Sequence, residues 1–226
     1  MAIEELFPKI LFYIGGVGIR DTVLHTWIVI LFLGGFAVWA SRRVRIWQPE
    51  TWQLAVEYLV EYVEGLIANM AGRDLPILTP YLTTMITLIA IANLLGLLPG
   101  FMAPTRDLNT TAALSLISLA SCQYFGIRKR GLWRHLHALA EPVALMLPLN
   151  LLSEVSRTIS MALRLFGNVL AGEVITGVMF LLVPVLAPLP LSLLGMITGV
   201  LQALVFTVLT LVFVADALGE EEAESI

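Results

Sequence analysis

Charge is scarce in this chain. Asp, Glu, Lys and Arg make up 13% of its 226 residues, about half the share that a soluble domain carries. Thirteen Lys and Arg are scattered and outnumbered by seventeen Asp and Glu, which argues against nucleic acid as a partner. Cysteine occurs once, as Cys122, so no intrachain disulfide exists. Of three histidines, His135 and His137 stand at i, i+2 on different helix faces, and a metal site there is not expected. There is no P-loop, Gly-x-Ser-x-Gly or HExxH motif. The reading is a chain that makes and breaks no covalent bonds and needs no cofactor. The N-terminus "MAIEELFPKILFYIGG" starts acidic and lacks a small-residue cleavage site, so no signal peptide is expected and insertion relies on the mature spans. No repeat of 20–50 residues is visible, and the acidic tail "GEEEAES" is the only biased tract.

What is abundant is apolar sequence, at 58% of residues. Long runs of it predict an all-α integral membrane protein in one membrane domain. Spans are expected over about 23–40, 80–100 and 109–127, the last stopping at "RKRG". Between the first two, Glu50, Glu57, Glu61 and Glu64 recur at helical spacing among Leu, Val and Ile, which predicts an amphipathic interfacial helix over about 50–71. "LWRHLHALAEP" reads as a connector. From Val174 to Ala215 no charge occurs for 42 residues, enough for two spans, with Pro184, Pro188 and Pro190 near the middle. A helical hairpin follows, with helices over about 141–183 and 191–217. The first exceeds the membrane thickness and must tilt, bend or run partly along the surface.

Arg42, Arg43, Arg45, Arg73, Arg128, Lys129, Arg130 and Arg134 gather on one side of these five spans. Only Lys9, Arg20 and Arg106 fall on the other. The positive-inside rule then puts the N-terminus outside and the C-terminus in the cytoplasm.

Within the penultimate span, "ISMALRLFGNVLAGEVI" carries Arg164, Asn168 and Glu173. Arginine near the bilayer centre costs about 2.5–3.5 kcal/mol on insertion scales. Snorkelling to an interface is the bland alternative, weakened because Arg164 lies twenty residues before Pro184. Arg157, Ser160, Met161, Arg164, Gly167, Asn168 and Ala171 share one helix face. Ser160, Gly167 and Ala171 are small and admit a closely packed partner; an intramolecular seam would look the same. Glu173, nine residues on, points away from Arg164. Its ionised form is costly in apolar surroundings, which suits proton exchange, and a hydrogen-bonded packing carboxyl is the equal alternative. Gln202, Thr198 and Gly195 form a stripe on the last helix. Glu154 and Arg157 are i, i+3 and fit a surface pair. Asn93 is a weak signal.

Taken together, "MALRLFGNVLAGE", "LNLLSEVSRTIS" and "LQALVFTVLTLVF", with "NLLGLLPG" and "PTRDLNTTAALSL", resemble the a subunit of the membrane (Fo) sector of F-type ATP synthases. The likeness runs over most of the chain after residue 20. It implies that Arg164 is the stator arginine facing the ring of c subunits. Asn168, Glu173 and Gln202 match polar positions of the ion half-channels, and Asn93 matches a polar site in the earlier span. Arg157 stands where many relatives carry lysine. Peripheral-stalk b subunits, the rest of the ATP synthase and a bacterial plasma membrane or thylakoid-type membrane are implied as surroundings. The ion is a proton or a sodium ion. Many bacterial relatives carry histidine at the position of Gly195 and aspartate at that of Gly96; chloroplast and cyanobacterial forms look more like this chain. Counting from a turn near residue 187 levels Glu173 with Gln202, whereas the resemblance puts Gln202 near Arg164. Two rival readings are a secondary transporter, which calls for inverted repeats of broken helices, and a structural membrane scaffold.

Overall fold

The computed structural model describes residues 10–14, 17–45, 49–72, 75–96, 101–131, 146–182 and 188–218. Lys9, Arg73, Arg134, His135, His137, residues 97–100 and 141–145, Pro184 and the acidic tail lie outside them. Six α-helices run through the described chain: α1 (Asp21–Ser41), α2 (Thr51–Ala71), α3 (Thr79–Leu95), α4 (Leu108–Arg130), α5 (Met146–Leu182) and α6 (Pro188–Leu218). A short antiparallel hairpin, β1 (Ile10–Ile14) and β2 (Val17–Arg20), precedes α1. A 3-10 turn, Pro104–Arg106, leads into α4. The molecule is an α-helical membrane protein.

Four of these helices are long and apolar enough to cross a bilayer: α1, α4, α5 and α6. At 17 residues, α3 is shorter, yet it lies at the lower end of the lengths that span. Lipid replaces water as the surrounding solvent, so large apolar side chains stay on the surface: Trp27, Leu31 and Phe32 of α1, Leu181 of α5 and Leu193 of α6. In α2 the pattern differs. Val63 and Ile67 are buried in the core with Leu59 and Leu66 against it, while Glu57, Glu61 and Glu64 point out. At the α1–α2 corner the rings of Trp39 and Trp52 lie 4.9 Å apart and the Arg43 guanidinium sits 5.3 Å from the Trp39 ring. Aromatic and basic groups of this kind belong at the membrane–water interface.

Local chemistry explains the element ends. Pro80 occupies the first turn of α3, where no intrahelical N–H bond is lost. Asp107 caps α4, its carboxylate accepting from the Asn109 N–H at 3.0 Å. Gly72 closes α2 at φ 65, a left-handed position that suits glycine.

The core joins α3, α4, α5 and α6 through Leu82, Met85, Ile89, Leu114, Leu165, Phe206 and Val214. Hydroxyls add ties where helices approach closely. Ser118 and Thr210 are hydrogen-bonded at 2.8 Å between α4 and α6, and their neighbours Ser115 and Thr207 are buried. Small polar side chains at helix contacts are usual in membranes. The 37 residues of α5 measure about 55 Å at 1.5 Å each. A hydrocarbon core of about 30 Å cannot contain that length at ordinary tilts, so part of α5 leaves the core.

Candidate functional site

Arg164 sits at the midpoint of α5, eighteen residues from either end, or about 27 Å. The side chain is exposed on the bundle surface and makes no hydrogen bond or ion pair among the described residues. Ser160, Gly167 and Ala171 are exposed beside it. A Cβ added at Gly167 would meet nothing within 4 Å. Met161, Ala162 and Leu165 of the same turns are buried against the core. The small-residue seam is therefore uncovered among the described residues, and Arg164 stands on it without an internal counter-charge. Such a placement costs insertion energy that nothing within the described chain offsets.

One turn further, the Asn168 amide donates to Gln202 Oε1 at 2.7 Å. Gln202 is buried, and this bond satisfies its carbonyl. Pairing of 168 with 202 centres the α5–α6 hairpin on residue 185, two residues earlier than counting suggests. Gln202 thus stands beside Asn168, at a level of α5 between Arg164 and Glu173. Gly195 has open space where a Cβ would go. Asn93 has a different set of contacts: Nδ2 donates to the Gly199 carbonyl at 2.8 Å and Oδ1 accepts from Thr105 at 2.6 Å. It ties α3, the 3-10 turn and α6 together.

Glu173 lies on the face of α5 opposite Arg164 and meets a residue that sequence reasoning missed. The Arg106 Nη1 donates to Glu173 Oε2 at 3.3 Å. Arg106 is 4% exposed, and its Nη2 lies 3.9 Å from Asp21 Oδ2. Its neighbour Asp107 is fully engaged: Arg20 reaches it at 2.9 Å, Thr22 Oγ1 donates at 2.9 Å, and the Asn109 amide caps onto it. Three carboxylates and two guanidiniums therefore meet where α1 starts, α4 starts and α5 nears its end. From the sequence, Arg106 counts only as a basic residue of a loop. The available signal is "TRD" before a span, an arginine beside a helix-capping aspartate.

At the opposite end Glu154 and Arg157 do not pair with each other. Gln123 donates to Glu154 Oε2 at 2.6 Å, and the Arg157 guanidinium stacks 4.1 Å from the Phe213 ring. That geometry is a cation–π contact. The two α5 residues thereby connect to α4 and α6 respectively. No cluster of three or more His, Cys, Asp or Glu side chains that would hold a metal exists among the described residues.

Polar and charged groups thus line α5 on two faces and toward both ends, with an arginine at its middle that is unpaired among the described residues. Residues 23–215 match the family described as ATP synthase A chain. The ATP synthase subunit a 2 of a Bradyrhizobium species is 42% identical over 97% of this chain and 98% of its own length. The ATP synthase subunit a of Moorella thermoacetica is 35% identical over 92% of this chain and 95% of its own. That of Legionella pneumophila is 32% identical, covering 100% and 98%. This chain belongs to the ATP synthase A chain family.

Proposed function

We propose that the chain is the stator channel subunit of a rotary ATP synthase, passing protons between two half-channels and a rotating ring of c subunits. The observation that carries this is Arg164: a mid-helix guanidinium on an uncovered small-residue face, unpaired among the described residues. Membership of the family and the extent of the match to its relatives support the same reading. Among the described residues the long apolar helices run unbroken, which gives the broken-helix architecture of a secondary transporter no support.

The mechanism follows from the two faces of α5. Protons enter from outside at the end that carries Glu173, which exchanges them with water. They pass the Asn168–Gln202 pair and reach a carboxyl on the ring opposite Ser160, Gly167 and Ala171. A neutral ring carboxyl can turn into lipid; an ionised one cannot without a large cost. Arg164 acts on the ionised form. A pair of unit charges at 4 Å with an effective dielectric of 20 interact by about 4 kcal/mol, roughly a thousandfold bias toward ionisation as a site passes. The released proton leaves through the second half-channel near Glu154, Gln123 and Arg157, on the cytoplasmic side. Arg164 between the two paths blocks a direct leak. Each charge crossing 100 mV supplies about 2.3 kcal/mol, and this drives rotation. ATP chemistry occurs on other subunits, and peripheral-stalk b subunits hold this chain against the torque. The N-terminus is outside and the C-terminus cytoplasmic, in a bacterial membrane.

Cysteine crosslinking tests the assignment. Single cysteines at Ser160, Gly167 and Ala171 in the Cys122→Ser background should crosslink to cysteines on the ring-facing helix of subunit c in oxidised membranes. Crosslinks confined to subunit a would reject the ring as the partner of this face.

A further inference from the structure

Two acid–base pairs sit side by side near the start of α1 and α4, and they are built differently. Arg20 and Asp107 are locked: the contact is 2.9 Å, and both carboxylate oxygens of Asp107 take further donors, Thr22 Oγ1 on one and the Asn109 amide on the other. Arg106 and Glu173 are not. Their one contact is 3.3 Å, longer than the 2.7–2.9 Å of a strong charge-assisted bond. Arg106 Nε and Nη2 make no hydrogen bond among the described residues, although both are buried. An arginine that only braces a fold uses its planar fork in two parallel bonds, and leaving buried donors unspent is costly. The second acid within reach is Asp21. Its Oδ1 accepts from the Thr22 amide at 2.8 Å, which leaves Oδ2 turned to Arg106 Nη2 at 3.9 Å.

Among the described residues, the charged groups facing Arg106 are thus Asp21 from α1 and Glu173 from α5, with Arg20 already committed to Asp107; α1 also carries the titratable His25, its ring nitrogen 2.8 Å from the Asp21 carbonyl oxygen, and α3 contributes the neutral Asn93, through Thr105. One guanidinium stands between two carboxylates on different helices, within pairing distance of both and saturated by neither.

We propose that Arg106 is a positioning residue of the access half-channel, a counter-ion shared by Asp21 and Glu173 that moves toward Asp21 whenever Glu173 takes up a proton. This rests on the stator reading above. When Glu173 is ionised, Arg106 holds it turned into the bundle, away from the Arg164 face. When a proton from water neutralises Glu173, Arg106 is left with the ionised Asp21 as its nearest partner and closes on it. Delivery of that proton toward the ring carboxyl restores the Glu173 anion and draws Arg106 back. The trio thus alternates between one net negative charge, with Glu173 ionised, and none, with Glu173 protonated, and Asp21 takes part in the exchange alongside Arg106.

The test uses the assembled ATP synthase in inverted vesicles, reading ATP-driven acidification per complex with subunit content measured in parallel. Asp21→Asn, a mild change at the start of α1, should lower pumping several-fold with assembly intact. Arg106→Gln should lower it tenfold or more, and Arg106→Lys should restore part of the rate. Because loss of Arg106 leaves two carboxylates opposed, Arg106→Gln with Asp21→Asn should pump faster than the product of the single effects. Wild-type pumping in Asp21→Asn, or effects that simply multiply, would overturn the shared counter-ion and leave Arg106 a brace. If Arg106→Gln does not assemble, the Asp21→Asn rate still decides. Arg164→Ala in the same assay separates the two layers: if it blocks pumping while Asp21→Asn pumps normally, the stator reading stands without this proposal. If Arg164→Ala pumps normally, both fall.

Discussion

Gly96→Ala isolates one close approach on which the charged cluster depends. A Cβ at residue 96 would lie 2.7 Å from the Ala103 Cβ and 3.1 Å from the Ala103 amide nitrogen. The Gly96 backbone, at φ −65 and ψ −12, already suits alanine. Two effects therefore compete. Replacing glycine at a permissive position stabilises by about 0.4–1 kcal/mol through the unfolded chain. Overpacking costs about 1–3 kcal/mol, and backbone at 3.1 Å yields less readily than a flexible side chain. The steric loss wins, with a net destabilisation of roughly 1–2 kcal/mol. Ala103 is three residues before Arg106, so relief of the overlap moves the 3-10 turn and lengthens the Arg106–Glu173 contact. Thermal dissociation of the purified complex reads the stability, and ATP-driven acidification reads the transport. Gly96→Ala should lower both, with transport hit harder. Adding Ala103→Gly should recover part of each, since the nitrogen contact persists. A Gly96→Ala complex as stable and active as the wild type would refute the close approach and the coupling drawn from it.

Gly167→Leu should leave membrane insertion unchanged, because its Cβ position is open, yet reduce coupled pumping at least tenfold by obstructing the ring; wild-type pumping would remove the seam from the rotor interface. Asn168→Leu strips the buried Gln202 carbonyl of its donor, at a cost of about 0.6–1.7 kcal/mol, and should slow transport; equal stability and rate in the variant would make the pair incidental. Glu173→Gln keeps the side chain's shape but cannot exchange a proton, so pumping should fall strongly with assembly intact; a wild-type rate across pH 6 to 9 would make Glu173 a packing group.

Much of this architecture was legible because hydropathy and helical period report directly on burial in lipid. The charge-free run to Ala215 with its central prolines announced the α5–α6 hairpin, whereas the face drawn through Arg164 divides: Ser160, Gly167 and Ala171 are exposed with it, but Met161 is buried in the core. Levels and partners were harder. Pro188 and Pro190 suggested a turn running to residue 190, but proline is tolerated in a helix's first turn, and α6 begins at Pro188. That shift puts Gln202 beside Asn168. Arg106 was missed for a different reason. Its partner Glu173 is 67 positions away, and periodicity within one helix says nothing of what another chain segment places opposite it. Glu154 and Arg157 looked like an i, i+3 pair, yet each found a partner on a neighbouring helix. For the β1–β2 hairpin the sequence signal is the Gly-Gly dipeptide between two apolar runs, a pair that favours tight hairpin turns.

The role proposed for Arg164, a guanidinium unpaired among the described residues, is to couple ion flow to rotation, and Arg164→Ala measures it. In assembled complexes of normal subunit content, ATP-driven acidification should vanish, and passive proton leak through Fo should persist or rise because the barrier between the half-channels is gone. Coupled pumping retained at the wild-type rate in Arg164→Ala would contradict the account.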